Sequence, residues 1–140
     1  MAFVEFRDVS KMYQMGEVSV AAVRAMSFQI EQGEFVVIVG PSGAGKTTLL
    51  NMLGGMDSAT SGTIMLDGAE VSSFNRRQLT QYRRHDVGFV FQFYNLVQNL
   101  TARENVELAG QICRDPLPAD EVLAAVGLAD RARNFPGQLS

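Results

Sequence analysis

The chain has 140 residues, of which 46% are apolar, and a formal net charge of −3, which predicts one globular domain with a sizeable core. The acidic balance argues against a general binder of nucleic acid or of anionic membranes, so we expect no nucleic-acid partner. A single cysteine excludes an internal disulfide, and no apolar run reaches the ~18 residues of a membrane span.

The N-terminal segments predict a small antiparallel β subdomain. Phe3–Val9 alternates apolar and polar residues, as a half-buried strand does. Ser10–Glu17 is expected to form a loop, and Val18–Ile30 one long strand or two short ones. Gln32–Gly33 follows as a turn.

Two apolar segments predict strands of a different kind. Glu34–Gly40 contains five consecutive β-branched or aromatic residues before a glycine, which is typical of a fully buried strand in a parallel sheet. Thr47–Leu53 then predicts a helix that ends at Gly54–Gly55. Val87–Gln92 predicts a second buried strand, so strands and helices alternate as in an α/β core.

Local signals place the remaining elements. Thr63–Gly68 predicts a strand that runs into an Asp-Gly turn, and Asn75–Arg84 has helical spacing behind a capping asparagine. Thr101 and Glu104 form a capping-box pattern at the start of another helix. Pro118–Val126 predicts a short amphipathic helix that stops at a glycine.

The stretch GPSGAGKT fits the phosphate-binding pattern G-x-x-x-x-G-K-[ST] without a mismatch. Its glycines are expected to take φ > 0, so that backbone N–H groups converge on phosphate oxygens at the start of a helix. Lysine adds a mobile positive charge, and the threonine hydroxyl is a Mg²⁺ ligand. The predicted nucleotide-binding residues that follow from this pattern are Gly40, Pro41, Ser42, Gly43, Ala44, Gly45, Lys46, Thr47 and Thr48.

Several other classes of phosphate-binding protein fit the sequence less well. The dinucleotide motif G-x-G-x-x-G is absent, and with two lysines in all the chain has no Asn-Lys-x-Asp motif of a GTPase. The arginine-rich stretch Asn75–His85 could form the lid of a small-molecule kinase, although a solvated helix face is the favoured interpretation. His85 is the sole histidine and is interpreted as a surface residue.

Two long stretches carry a resemblance to a known family. They are VSKMYQMGEVSVAAVRAMSFQIEQGEFVVIVGPSGAGKTTLLNMLGGMDSATSGTIMLDG and VGFVFQFYNLVQNLTARENVELA. Their order and spacing resemble the ATP-binding subunits of ABC transporters, in the branch of the lipoprotein-release, macrolide-export and cell-division ATPases. The resemblance implies an α/β fold with a P-loop NTPase-like partial parallel sheet, helices and an N-terminal antiparallel β subdomain, all within one incomplete domain over residues 1–140.

The resemblance also implies roles, with ATP and Mg²⁺ as cofactors. Tyr13 resembles the aromatic residue that stacks on adenine in the loop after the first strand. Gln92 resembles the glutamine that reaches Mg²⁺ and the attacking water at the end of a strand. The loop after Gln92 resembles the contact with a membrane-spanning transporter subunit. A second copy of the ATPase subunit and a cytoplasmic position on the inner face of the cell membrane are further implications.

Leu139 and Ser140 resemble the first two residues of the family's Leu-Ser-Gly-Gly-Gln signature, and the later strand that ends in Asp-Glu is missing. Asp67 is followed by Gly68 and lies too early for the family's order, so it is interpreted as a hairpin-turn residue and not as a magnesium-binding aspartate. The chain therefore resembles an N-terminal fragment that binds Mg-ATP without hydrolysing it. A non-transport P-loop ATPase of DNA repair or translation, and a nucleotide-binding interaction module, are the alternatives.

The resemblance has a consequence for the sheet. In the family, two later strands separate the one before the phosphate loop from the one that ends in glutamine. Phe35–Val39 and Gly88–Phe91 would then keep unpaired edges, which are templates for strand addition. We expect either a rearranged sheet in which these two strands meet, or an oligomer.

Overall fold

The computed structural model describes residues 1–139. They form two compact units, the first ending at Arg83 and the second beginning at Arg84. No helix within residues 1–139 has the length and apolar character that crossing a membrane requires.

The first unit is built on a four-stranded antiparallel sheet. The strands are β1 (Val4–Met15), β2 (Val18–Ile30), β3 (Ser61–Leu66) and β4 (Ala69–Glu70), in the spatial order β2-β1-β3-β4. The Asp67–Gly68 turn joins β3 to β4 with both residues at φ > 0, as a tight hairpin requires. The predicted antiparallel subdomain is confirmed.

Strand β1 is longer than the sequence predicted, because the expected loop Ser10–Glu17 is strand as far as Met15. The register with β2 shifts between Phe6 and Met12, and Asp8 takes a φ of 47°. Such bulges insert extra residues and break the alternation that marks a strand in sequence. The Asp8 N–H that the bulge frees donates to Ser27 Oγ at 2.8 Å, so the irregular backbone remains hydrogen-bonded.

The core of this unit forms around the sheet, the helix α1 (Lys46–Leu53) and the part of α2 (Arg76–His85) that precedes Arg84. Phe6 is buried and stacks on Phe28 with ring centroids 4.5 Å apart. Tyr82 is buried, and its hydroxyl donates to the Leu53 carbonyl oxygen at 2.6 Å. Asn75 caps α2 as predicted, since its Oδ1 accepts from the Gln78 N–H at 3.0 Å.

The second unit contains α3 (Ala102–Gly110) and α4 (Ala119–Ala125), followed by 3-10 turns at Ala129–Arg131 and Pro136–Gln138. The predicted capping box of α3 is confirmed in both directions. The Glu104 N–H donates to the Thr101 hydroxyl at 3.2 Å, and the Thr101 N–H donates to the Glu104 carboxylate at 2.7 Å. Both orphan donors at this helix start are thereby satisfied.

The two predicted buried strands are wrong for the described residues. Glu34–Gly40 and Val87–Gln92 belong to no strand, and Phe35 is 93% exposed. A strand buried on both faces needs hydrogen-bonding neighbours, and the one sheet within residues 1–139 contains β1 to β4 alone. The parallel sheet and the rearranged sheet are therefore both absent from the described residues, while the oligomer stays a prediction.

Candidate nucleotide-binding site

The predicted phosphate loop forms a compact turn in front of α1. The Ala44 N–H donates to the Pro41 carbonyl oxygen at 3.2 Å, and the helix begins at Lys46. Gly43 and Gly45 take φ values of 80° and 92°, in the left-handed region that glycine enters without steric cost. The curl that the motif predicts is present.

The three glycines of the loop are needed for different reasons. A Cβ at Gly45 would overlap the Ala22 carbonyl oxygen, whereas a Cβ at Gly43 would point into open space. Gly40 does not have the predicted positive φ. Its Cβ would lie 3.3 Å from Ala44 Cβ, so the absence of a side chain at Gly40 permits the close return of the loop.

The start of α1 suits an anion. The first helical bond runs from the Leu49 N–H to the Gly45 carbonyl oxygen at 2.9 Å. The N–H groups of Lys46, Thr47 and Thr48 come before it and have no acceptor within the helix. Gly45 offers no capping side chain, and the first turn carries no acidic residue. The positive end of the helix dipole is consequently available to a phosphate.

The Lys46 ammonium lies over the loop. Its Nζ donates to the carbonyl oxygens of Gly40 and Pro41 at 2.6 and 2.7 Å. An ammonium has three donors, so one stays available for a ligand oxygen. A cleft of about 340 Å³ in the same unit borders Gly43 to Lys46, with Val23 and Ile38 among the apolar side chains that line it.

Tyr13 lies within β1, opposite Val20, and not in the loop that the sequence predicted. Its side chain is 38% exposed, and its hydroxyl donates to Asp57 Oδ2 at 2.6 Å. This bond to the carboxylate raises the pKa of Tyr13, and the side chain of Thr48 partly opposes the rise. Through Asp57, whose N–H donates to the Asn51 carbonyl oxygen of α1, Tyr13 is linked to the helix that carries the phosphate loop.

Sequence reasoning missed two residues beside Tyr13. The Lys11 Nζ donates to Asp57 Oδ1 and to the Ser58 carbonyl oxygen, both at 2.7 Å. Burial alone would raise the pKa of Asp57, but hydrogen bonds from Lys11, Tyr13 and the Ser58 N–H outweigh it and lower the pKa. Lys11 could have been noticed as one of two lysines, two residues before Tyr13. Nothing in the sequence links it to Asp57, 46 positions away.

Gln92 belongs to the second unit, where it is exposed in an irregular stretch. The prediction that it ends a strand is wrong for the described residues. The aromatic residues that follow are exposed, Tyr94 to 92%. The end of this stretch is attached to α3 by Asn105, whose Oδ1 accepts from the Val97 N–H at 2.8 Å and whose Nδ2 donates to the Leu100 carbonyl oxygen at 3.1 Å. Asn105 carried no signal in the sequence.

The loop geometry agrees with an independent comparison with known proteins. The model of the ABC transporter family matches residues 23–140 of the chain. The chain belongs to the ABC transporter family. Within it, the chain is 49% identical to an uncharacterized ABC transporter ATP-binding protein of Thermotoga maritima, over 98% of the chain and 61% of the relative. It is 41% identical to the macrolide export ATP-binding/permease protein MacB of Escherichia coli K12, over 98% of the chain and 22% of that protein.

A solved structure of the family superposes on nearly the whole chain. It is the dimeric, post-hydrolysis ATP-binding cassette MJ0796 bound to ADP and Pi, with a TM-score of 0.86 and 38% identity, over 98% of this chain and 63% of that one. The backbone of the chain therefore follows the P-loop NTPase fold over this part of an ABC cassette, although Glu34–Gly40 and Val87–Gln92 are not paired as strands. It spans about three fifths of the length of this cassette and of the Thermotoga relative.

Proposed function

We propose that the chain is the nucleotide-binding part of an ABC transporter ATPase and that it binds Mg-ATP through Gly40–Thr48. The observation that carries the proposal is the N-terminus of α1, which has no capping side chain and no acidic residue in its first turn. The Lys46 ammonium and the two left-handed glycines of the loop lie at this same helix end. Several N–H donors and one positive charge meet in a small volume there, which is what a polyphosphate requires. The family and its ATP-binding relatives favour a transporter over a DNA-repair or translation ATPase.

Two side chains of the chain suit Mg²⁺. Thr47 offers an exposed hydroxyl at the loop, and Gln92 offers an amide oxygen in the second unit. Both are the hard oxygen ligands that Mg²⁺ takes, and neither completes an octahedral shell. When bound, the ion neutralises phosphate charge. We assign Thr47 to the ion and Gln92 to the ion and the attacking water of the whole protein, while Tyr13 stacks on the base.

The exposed residues and the relatives support two proposed partners. The stretch after Gln92 exposes Phe93 and Tyr94, an apolar surface that suits a membrane-spanning subunit. The MacB relative is named as an ATP-binding/permease protein, and two solved cassettes are described as dimeric. We propose that the whole protein works as two copies on the inner face of the cell membrane, bound to such a subunit.

Hydrolysis belongs, in this proposal, to the whole protein. Phosphoryl transfer to water needs a carboxylate that holds Mg²⁺ and a group that orients the water. The resemblance to the family assigns the carboxylates to a strand ending in Asp-Glu, which these 140 residues do not contain. We therefore expect the 140-residue chain to bind Mg-ATP without turning it over.

Titration calorimetry with Mg-ATP tests the proposal. Lys46→Ala should weaken binding at least ~30-fold, since it removes a charged group that bonds phosphate. Thr47→Val should weaken binding only when Mg²⁺ is present, which separates the metal from the loop. Equal affinity in wild type and Lys46→Ala would contradict the site, and phosphate release above the Lys46→Ala level would contradict the lack of turnover.

A further inference from the structure

A second cluster of charged side chains lies in the first unit, outside the phosphate loop. Its centre is Lys11, which at 9% exposure is the one buried charged or polar residue of the described chain. The ammonium bonds Asp57 Oδ1 and the Ser58 carbonyl oxygen, each at 2.7 Å. A buried ammonium without such partners would be costly, so the position of Asp57 is tightly linked to that of Lys11.

The second oxygen of Asp57 holds Tyr13. The Tyr13 hydroxyl donates to Oδ2 at 2.6 Å, a short distance typical of a charge-assisted bond. The Lys11 Nζ also lies over the Tyr13 ring, 5.1 Å from its centroid, at the distance of a cation–π contact. The ring is therefore held at its hydroxyl and over one face.

Asp57 is itself fixed to the helix of the phosphate loop. The N–H groups of Met56 and Asp57 donate to the Asn51 carbonyl oxygen in the last turn of α1, at 2.8 and 3.2 Å. The Ser58 N–H donates to Asp57 Oδ1 at 2.8 Å. One helix thus carries the phosphate loop at its start and the carboxylate that holds Tyr13 just after its end.

We propose that Lys11 and Asp57 are positioning residues for the base of the nucleotide, because they hold the Tyr13 ring, on which the base stacks, in one fixed orientation. The assignment rests on the proposed ATP site and on Tyr13 as its base contact. A tyrosine side chain on a strand otherwise chooses among rotamers, and a ligand that selects one of them loses affinity. The ammonium lies over one face of the ring, and we assign the opposite face to the base.

The test compares a ligand that has a base with one that lacks it. Calorimetry with Mg-ATP and with Mg-tripolyphosphate is performed on wild type, Asp57→Ala, Tyr13→Phe and the double variant. Asp57→Ala should weaken ATP about three- to fivefold, the loss expected for one hydrogen bond, and leave tripolyphosphate unchanged. Tyr13→Phe should do the same, and the double variant should lose no more than either one.

Asp86→Ala is the charge-matched control, because Asp86 is exposed and lies outside the cluster. It should leave both affinities unchanged. Parallel losses for ATP and tripolyphosphate in Asp57→Ala, or additive losses in the double variant, would overturn the assignment while leaving the ATP site intact. A wild-type chain that binds neither ligand would overturn the proposed function and this assignment together.

If Asp57→Ala fails to fold, as circular dichroism would show, Tyr13→Phe decides alone. It removes one hydroxyl and keeps Lys11 paired with Asp57. A threefold loss that is confined to ATP supports the assignment, and an unchanged ATP affinity overturns it.

Discussion

Two adjacent segments of the first unit show how differently sequence patterns become structure. Gly40–Thr48 forms the loop and helix start that its motif predicts, whereas the apolar segment Phe35–Val39 directly before it forms no strand. The loop is stabilised by bonds between residues that are close in sequence, such as Ala44 to Pro41 and Leu49 to Gly45. A buried strand depends on neighbours that are distant in sequence. A local pattern therefore determines the conformation of its own residues, whereas an apolar segment forms a buried strand only beside partner strands.

The largest effect on stability is expected from a comparison of two phenylalanines. Phe6→Ala should lower the free energy of unfolding by about 3–5 kcal/mol, because Phe6 is fully buried against Phe28. Phe35→Ala should change it by less than about 0.5 kcal/mol, since Phe35 is exposed. Urea denaturation measures both, and a comparable loss in Phe35→Ala would show that its segment is packed in solution.

Two glycines of the phosphate loop give the next effect. Gly45→Ala should destabilise the chain by about 2–4 kcal/mol, because it combines a left-handed φ with an overlap on the Ala22 carbonyl oxygen. Gly43→Ala has a similar φ and open space around it, so about 1–2 kcal/mol is expected. Thermal melts compare the two variants, and equal losses would show that the contact with Ala22 is unimportant.

A smaller effect is the pH dependence of the Tyr13–Asp57 bond. The pKa of Asp57 is lowered below its ordinary value of 3.8, so the stability it contributes is present above that value and lost as the pH falls through the folded pKa. The pKa of Tyr13 is raised above 10.0, so its contribution is present below that value and lost at higher pH. The loss at acidic pH should be on the order of 1 kcal/mol or less.

Urea denaturation across pH measures this window, with Asp57→Ala as the control that lacks it. A wild-type profile that is parallel to that of Asp57→Ala at both ends would contradict the prediction.

The smallest effect on stability is expected in the apolar segment Phe35–Val39, which forms no strand. A substitution there should change self-association instead. Val37→Lys should leave the free energy of unfolding unchanged and reduce concentration-dependent self-association, because a lysine in an exposed apolar segment discourages pairing with a strand of another copy. Val126→Lys is the matched control, since Val37 and Val126 are 66% and 65% exposed. Sedimentation velocity measures the association. A wild type that is monomeric at every concentration would refute the predicted oligomer.

The sequence alone was sufficient wherever residues a few positions apart decide the conformation. The phosphate loop, the capping box of Thr101 and Glu104, the Asp67–Gly68 turn and the Asn75 cap were all predictable for this reason. The resemblance of two long stretches also indicated the ABC transporter family, which the family model confirmed.

Tertiary structure decided the features that join distant residues. Strand β1 continues through Lys11 to Met15 because β2 pairs with it across several bulges, which no alternation of residue types could reveal. The carboxylate of Asp57 meets Lys11 and Tyr13 across more than forty positions. The two apolar segments lack strand partners for the same physical reason. A hydrogen bond between distant residues forms only where the folded backbone brings its donor and its acceptor together. A local sequence pattern does not show which distant residues will meet.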